Sequence, residues 1–316
     1  MEFIVTVILL CVILVAAIFF GVLYALFRMT FFVPRKATLN PYDFPNGKEY
    51  SRNAAKMIEL VDNVIDMKYE DVYITSHDGL KLHARYYEKF ENASLRIMFH
   101  GYRSNALRDF CGGLAMAFET GCNALLVDQR AHGKSEGKCL TFGVMERYDC
   151  VDWANYASAR FGKIKITLVG ISMGAATVLM ASSLALPDNI SGIIADCPYS
   201  SPREIICKVM RQRKIPVSII YPLIRLSGKI FGGFDANSAD ASKAVSSSNI
   251  PILIIHGDKD NFVPWEMSEK IYKSAHGIKH FLTVHNAGHG MSFIEDEDGY
   301  KKAVLDFDKG TSLMYD

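Results

Sequence analysis

The 316 residues suffice for one large or two small domains, and a single α/β domain of about 250 residues fits within them. Half the residues are apolar and 22% are charged, which excludes global disorder; the formal net charge of +1 argues against nucleic-acid binding through bulk positive charge. Seven scattered cysteines with no CxxC pair exclude a zinc-ribbon pattern. They read as free thiols of a reducing compartment rather than a secreted disulfide scaffold.

Residues Phe3 to Phe27 carry no charge and are almost all Ile, Val, Leu, Phe or Ala. A helix of about 25 residues rising about 1.5 Å each spans roughly 37 Å, enough to cross a bilayer core with some tilt. A cleaved signal peptide would want a positive n-region, a shorter apolar run and a small-residue cleavage site; here only Glu2 precedes a longer run, so a retained anchor is expected. Arg28, Arg35 and Lys36 all follow the span. The positive-inside rule then puts the N-terminus outside and the remainder in the cytoplasm.

Asn40 to Gly47 (NPYDFPNG) reads as a linker. From Tyr50 to Met67, Ala54, Met57, Ile58, Val61 and Ile65 recur at helical spacing and predict an amphipathic helix. Val72–Thr75 and Leu80–Tyr87 flank His77-Asp78-Gly79 as a hairpin. Apolar strand candidates follow at Arg96–Phe99, Ala124–Val127, Ile166–Val169, Ile193–Ala195, Ile252–Ile255 and Phe281–Val284. Helical stretches lie between them at Ala106–Glu119, Phe142–Arg160, Ala175–Leu186 and Trp265–Ser274. Uniformly apolar strands alternating with helices predict a mostly parallel sheet, opened by an antiparallel hairpin and covered on both faces.

Tyr199 to Ala241 breaks the alternation with two prolines (Pro216, Pro222) and a run of cations from Arg203 to Lys229. It reads either as a surface helix pair with a solvated basic face or as a small helical lid, one able to rest on anionic lipid beside the anchor.

Gly170-Ile171-Ser172-Met173-Gly174 follows a strand and opens an Ala-rich helix, the context in which G-x-S-x-G presents a nucleophile on a strained turn. A serine hydroxyl needs a base, and the base an orienting acid, expected in the chain order Ser, Asp or Glu, His. His289, between glycines in Asn286-Ala287-Gly288-His289-Gly290, is the expected base; His280 and His285 read as structural. Asp260 in His256-Gly257-Asp258-Lys259-Asp260 stands at the carboxyl end of a strand and is the chosen acid. Asp258 reads as a loop cap, and Asp196 as an alternative acid on the preceding strand. Two backbone N–H groups must hold the developing oxyanion, here those of Met173 and of Tyr102 in His100-Gly101-Tyr102-Arg103-Ser104. His100 is expected to organise its loop, and Arg130 and His132 of Asp128–Ser135 to brace the sheet edge. Neither a metal-ligand cluster nor a glycine-rich phosphate loop occurs, so no metal or cofactor is expected.

In order along the chain, HGY, DQRAHGKS, GISMG, HGDKDNFVP and AGHG resemble the α/β-hydrolase superfamily, from about Tyr69 to the C-terminus. The nearest likeness is to the serine-hydrolase branch of prolyl-oligopeptidase-like peptidases and membrane-anchored α/β-hydrolase-domain proteins. The resemblance implies Ser172 as nucleophile, Asp260 as acid, His289 as base, and oxyanion amides at Tyr102 and Met173. It implies an α/β-hydrolase fold; with the segments read above, the chain divides into an anchor over 1–28, a linker and amphipathic helix over 29–67, and a hydrolase domain over 68–316 with a lid near 199–241. No β-propeller accompanies it, so the full oligopeptidase architecture is not expected.

The leading expectation is a membrane-tethered serine hydrolase cleaving carboxylic esters or thioesters, fatty-acyl ones included, through an acyl-enzyme. The alternatives are a peptidase of short peptides, which would want acidic groups gripping a free amino terminus, and a silent ligand-binding sensor. The expected partners are an ester substrate and the membrane, with the oligomeric state open.

Overall fold

The computed structural model describes residues 1–34 and 39–312. Its first helix, α1 (Glu2–Phe31), is long and apolar enough to cross a membrane. Of the cations that set the expected sidedness, Arg28 lies in α1, whereas Arg35 and Lys36 fall outside the described residues. The amphipathic helix α2 (Lys48–Ile65) follows, burying Met57, Leu60, Val61 and Val64 on one face.

The remaining elements run β1 (Glu70–Thr75), β2 (Lys81–Tyr87), β3 (Leu95–Phe99), α3 (Ala106–Asp109), α4 (Cys111–Glu119), β4 (Asn123–Asp128), α5 (Glu146–Phe161), β5 (Ile166–Ile171), α6 (Met173–Ala181) and β6 (Ile190–Asp196). After these come α7 (Pro202–Gln212), α8 (Val217–Ser227), a π-helical turn (Gly228–Gly232), α9 (Ala241–Ser246), β7 (Ile252–Gly257), α10 (Trp265–Ser274), β8 (Lys279–Val284), α11 (Ser292–Glu295) and α12 (Glu297–Ser312). The eight strands form one sheet in the order β1-β2-β4-β3-β5-β6-β7-β8. Only β2 runs against its neighbours; β4 to β8 pair parallel through β3, as the apolar strands require.

Side chains alternate between two cores. In β3, Ile97 and Phe99 pack beneath α5 and α6, while Met98 faces the opposite core with α2, α4 and α12. Parallel strands bring their carboxyl ends to one edge, and the loops after β3, β5, β7 and β8 gather there.

All six strand candidates and the hairpin occur, each within a few residues of expectation. Helix starts differ more. The helix expected from Phe142 begins at Glu146, because Phe142 (φ 55°) and Gly143 (φ 87°) are left-handed and the Glu146 carboxylate instead accepts from the N–H groups of Thr141 (2.7 Å) and Gly143 (2.8 Å). The stretch expected from Ala106 to Glu119 is broken at Phe110. The one expected to reach Leu186 stops at Ala181, where the Ser182 hydroxyl turns back to the Leu179 carbonyl (2.7 Å). Two elements beyond the expected set complete the second core: α11 and α12, the latter burying Tyr300, Val304 and Phe307.

The stretch 199–241, expected as a surface helix pair or a lid, folds as α7, α8 and the π-helical turn. α1 runs one turn past the expected anchor, and Leu23, Phe27 and Phe31 are buried against this segment and the domain. Phe31 meets Phe142 and Phe234 at 6.0 and 5.0 Å, and Phe27 meets Phe231 at 5.8 Å. Burying such side chains contributes about 1.5–3 kcal/mol each, so the end of α1 is held to the domain.

Candidate active site

β5 ends in Gly170-Ile171, and the chain turns at Ser172 into α6 with φ 53° and ψ −109°. A non-glycine residue at positive φ is strained, and such strain clusters at functional sites. The flanking glycines are sterically required: a Cβ at Gly174 would stand 1.8 Å from the Phe99 carbonyl oxygen, and one at Gly170 2.3 Å from the backbone of Gly174. The turn is held because the Ser172 N–H donates to the Asp196 carbonyl at 2.8 Å.

The loop after β8 brings His289 Nε2 to 2.9 Å from Ser172 Oγ. His289 Nδ1 lies 2.6 Å from Asp260 Oδ2, on the loop after β7. The other oxygen of Asp260 accepts the N–H groups of Phe262 and Val263, both at 2.8 Å. Burial pushes the Asp260 carboxyl up, but the His289 charge and hydrogen bonds from His256 and His289 outweigh it and hold it well below the usual carboxylate range. An ionised, buried acceptor at Nδ1 leaves Nε2 as the lone-pair nitrogen facing the hydroxyl.

The alternatives separate clearly. Asp258 caps its loop, accepting from Asn286 N–H at 2.8 Å and pairing with His285 at 3.0 Å. Asp196 accepts from the Ser292 hydroxyl at 3.2 Å, and burial raises its carboxyl to about 6. Its bonds go to Ser292, not to His289.

Met173 is the first residue of α6, so its N–H has no carbonyl one turn back within the helix. Gly101 packs against the nucleophile: a Cβ there would lie 3.5 Å from the Ser172 Cβ. The Gly101 N–H donates to Asp109 at 2.8 Å, fixing the path of the loop into Tyr102. His100 organises this loop. Its Nδ1 reaches the Gly101 carbonyl at 2.8 Å, Nε2 accepts from Gln129 N–H at 3.1 Å, and burial lowers its pKa. Arg130 braces the sheet edge through Asp149 (2.6 Å) and Asp78 (2.9 Å). His132 meets His100 edge-on at 4.7 Å, and burial lowers its pKa to about 3.

The model for the alpha/beta hydrolase fold matches residues 97–218, from β3 into the lid. Among full-length relatives, the Bacillus subtilis protein YqkD is 27% identical over 215 residues, covering 67% of this chain and 70% of its own. The Escherichia coli K12 protein YfhR is 25% identical over 297 residues, covering 90% and 93%. Of solved structures, the Pyrococcus furiosus esterase Pf2001 superposes with a TM-score of 0.63 at 22% identity, covering 88% of this chain and 96% of that one. The chain has the α/β-hydrolase fold.

Among the described residues, two groups of side chains could in principle hold a cation. The donor atoms of Cys197, Asp260 and His289 lie within 4.8 Å of one another, as do those of His77, Asp78 and Asp149. In the first, Asp260 and His289 already bond each other and Ser172; in the second, the Arg130 guanidinium sits between the two carboxylates. Neither donor set fits a resident metal.

Several residues that shape the site carry no local signal. The Tyr50 hydroxyl of α2 donates to the His289 carbonyl at 2.9 Å. Glu49 leans on Gly288, where a Cβ would meet its Cγ at 3.3 Å. His256 Nε2 stands 3.3 Å from Asp260 Oδ2 and 2.9 Å from the Val263 carbonyl. From α7, Lys208 donates to the carbonyls of Asn261 and Phe262, gripping the loop that carries Asp260. A cavity of about 420 Å³ opens beside Ser172 and His289 and runs down the second core between α2 and α4. Its walls include Met57, Met98, Phe110, Met116 and Ile294.

Proposed function

We propose that this α/β hydrolase is a membrane-anchored serine hydrolase that cleaves carboxylic esters or thioesters through an acyl-enzyme. The observation that carries the reading is the unbroken relay from Asp260 Oδ2 through His289 to Ser172 Oγ, at 2.6 and 2.9 Å, on a strained turn beside an apolar cavity. His289 Nε2 takes the Ser172 proton as Oγ attacks the carbonyl carbon, and Asp260 stabilises the imidazolium that forms. The tetrahedral oxyanion is held by the amides of Met173 and Tyr102; its collapse expels the leaving group, which takes the proton from His289. Water, activated by the same imidazole, then releases the acid.

The apolar cavity favours a fatty-acyl group over a short or charged one. α1 supplies the anchor, and the Tyr102 hydroxyl, on a residue that lines the cavity, donates to its Thr30 carbonyl, which keeps the site near the bilayer. Ile219 of α8 is 63% exposed, and Ile230 and Phe231 of the π-helical turn are also exposed beside α1. Such a face suits lipid contact. A peptidase reading has one observation in its favour: the Glu49 carboxylate lines the cavity mouth, where it could pair with a free amino terminus.

The test is a fluorophosphonate probe on the full chain, beside p-nitrophenyl esters of increasing chain length and aminoacyl-nitroanilides. Ser172 is expected to label and Ser172→Ala to abolish labelling, with turnover rising toward the longer esters. Equal labelling of the alanine variant removes the nucleophile; nitroanilide turnover above ester turnover makes the enzyme a peptidase.

A further inference from the structure

β3 points Arg96 to the same face as Met98, and both line the inner end of the cavity that begins at Ser172. Arg96 is only 1% exposed. Its Nη2 donates to Asp308 Oδ2 at 2.7 Å and to the Thr120 hydroxyl at 2.9 Å, while its buried Nε and Nη1 have no hydrogen-bond partner. Buried donors of a cation are almost always satisfied, so two unpartnered ones on a residue that lines the pocket mark a place for a ligand's acceptor.

We propose that this inner end binds a neutral oxygen acceptor, a hydroxyl or carbonyl carried far along the acyl chain, through the guanidinium of Arg96. The proposal rests on the serine-hydrolase reading above and names its substrate class: oxygen-functionalised long-chain acyl esters rather than plain hydrocarbon ones. The acyl part is the fitting occupant because it stays bonded to Ser172 while the leaving group departs.

The charge balance selects a neutral acceptor. Asp308 already offsets the guanidinium, and Asp196 lines the same cavity, so a second carboxylate would enter against two acidic groups. Register sets the reach. Arg96 pairs with Thr167 of β5, five residues before Ser172, so the guanidinium's strand position lies about 16 Å below the nucleophile. An extended chain advancing about 1.25 Å per carbon covers that in roughly a dozen carbons.

The experiment uses the full chain in detergent micelles with three p-nitrophenyl esters: dodecanoate, ω-hydroxydodecanoate and the monoester of dodecanedioic acid. The native enzyme is expected to show kcat/KM about tenfold higher for the ω-hydroxy ester than for dodecanoate, equivalent to about 1.4 kcal/mol, with no gain for the ω-carboxylate. In Arg96→Met the hydroxy-to-plain ratio falls to about one. In Arg96→Lys, which keeps a cation opposite Asp308 without the planar fork, the ratio falls severalfold. The ratio is internal to each preparation and is independent of the fraction folded. A native ratio at or below one, or a ratio undiminished in both variants, overturns the proposal. Esters hydrolysed without this preference remove the Arg96 subsite alone; absence of both turnover and Ser172 labelling removes the serine-hydrolase reading and the subsite together.

Discussion

At Asp260 two opposing effects meet. Burial disfavours its charge, but two histidines and two backbone N–H groups hold it ionised, so it stays an acceptor beside His289 Nδ1. Asp260→Asn is expected to cut turnover by about 10⁴, because the wrong imidazole tautomer then faces Ser172. Near-normal turnover there, with loss in Asp196→Asn, would transfer the acid's role to β6. Asp196 itself behaves in the opposite sense. Its carboxyl is raised to about 6 in the fold by burial, so the folded chain holds that proton more tightly than the unfolded chain does. Stability from this group is therefore full below about pH 4 and is lost as pH rises through about 6, a contribution on the order of 3 kcal/mol. Thermal melts of Asp196→Asn and the native chain should diverge in the variant's favour across that window and run parallel above it. A constant difference from pH 4 to 7 contradicts the buried-carboxyl account.

Among the elements, α1 reaches further into the site than an anchor needs to. Its last carbonyls accept hydrogen bonds from the loop that carries the proposed oxyanion amide: Arg103 Nη2 donates to Phe32 O (2.7 Å) and Met29 O (3.1 Å), and the Tyr102 hydroxyl to Thr30 O (3.3 Å). A guanidinium at a helix carboxyl end is favoured by the dipole. The Tyr102 ring stacks on Phe142 at 5.2 Å, and Phe142 meets Phe31, so aromatic packing joins the same two elements. Arg103 holds a left-handed φ of 49° in this tethered loop. Arg103→Met is expected to lower kcat about tenfold with KM within about twofold, since a displaced oxyanion donor weakens the transition state more than the ground state. Unchanged kcat, or a change confined to KM, would make Arg103 a purely structural tether.

Across the whole molecule, the end of α1 and the α7–α8 segment pack into the first core, while the cavity runs into the second. α1 packs on α8 and on the π-helical turn, and Tyr24 and Phe27 both meet Phe231. α1 is long and apolar enough to span a membrane, and with Arg28 on its domain side the positive-inside rule predicts an N-terminus outside and the domain inside. In intact cells, an N-terminal epitope should be accessible to external antibody while the domain resists external protease. The reverse pattern overturns the orientation.

Much of this was legible one residue at a time. The apolar strands, the hairpin turn at Gly79, the GISMG bend and the order Ser172, Asp260, His289 depend on local periodicity and on motifs only a few residues long. The C-terminal helix was also within reach: Tyr300, Val304 and Phe307 recur at helical spacing. Helix starts were not, because at Thr141–Glu146 a side chain capping the backbone decided where regular structure begins. Packing alone decided the rest. Tyr50 touches the His289 loop across 239 positions, Arg96 meets Asp308 across 212, and Arg103 reaches the end of α1 across more than 70. No local propensity acts over such separations; those contacts exist because the two faces of the sheet must be covered, and the covering elements bring their polar groups with them.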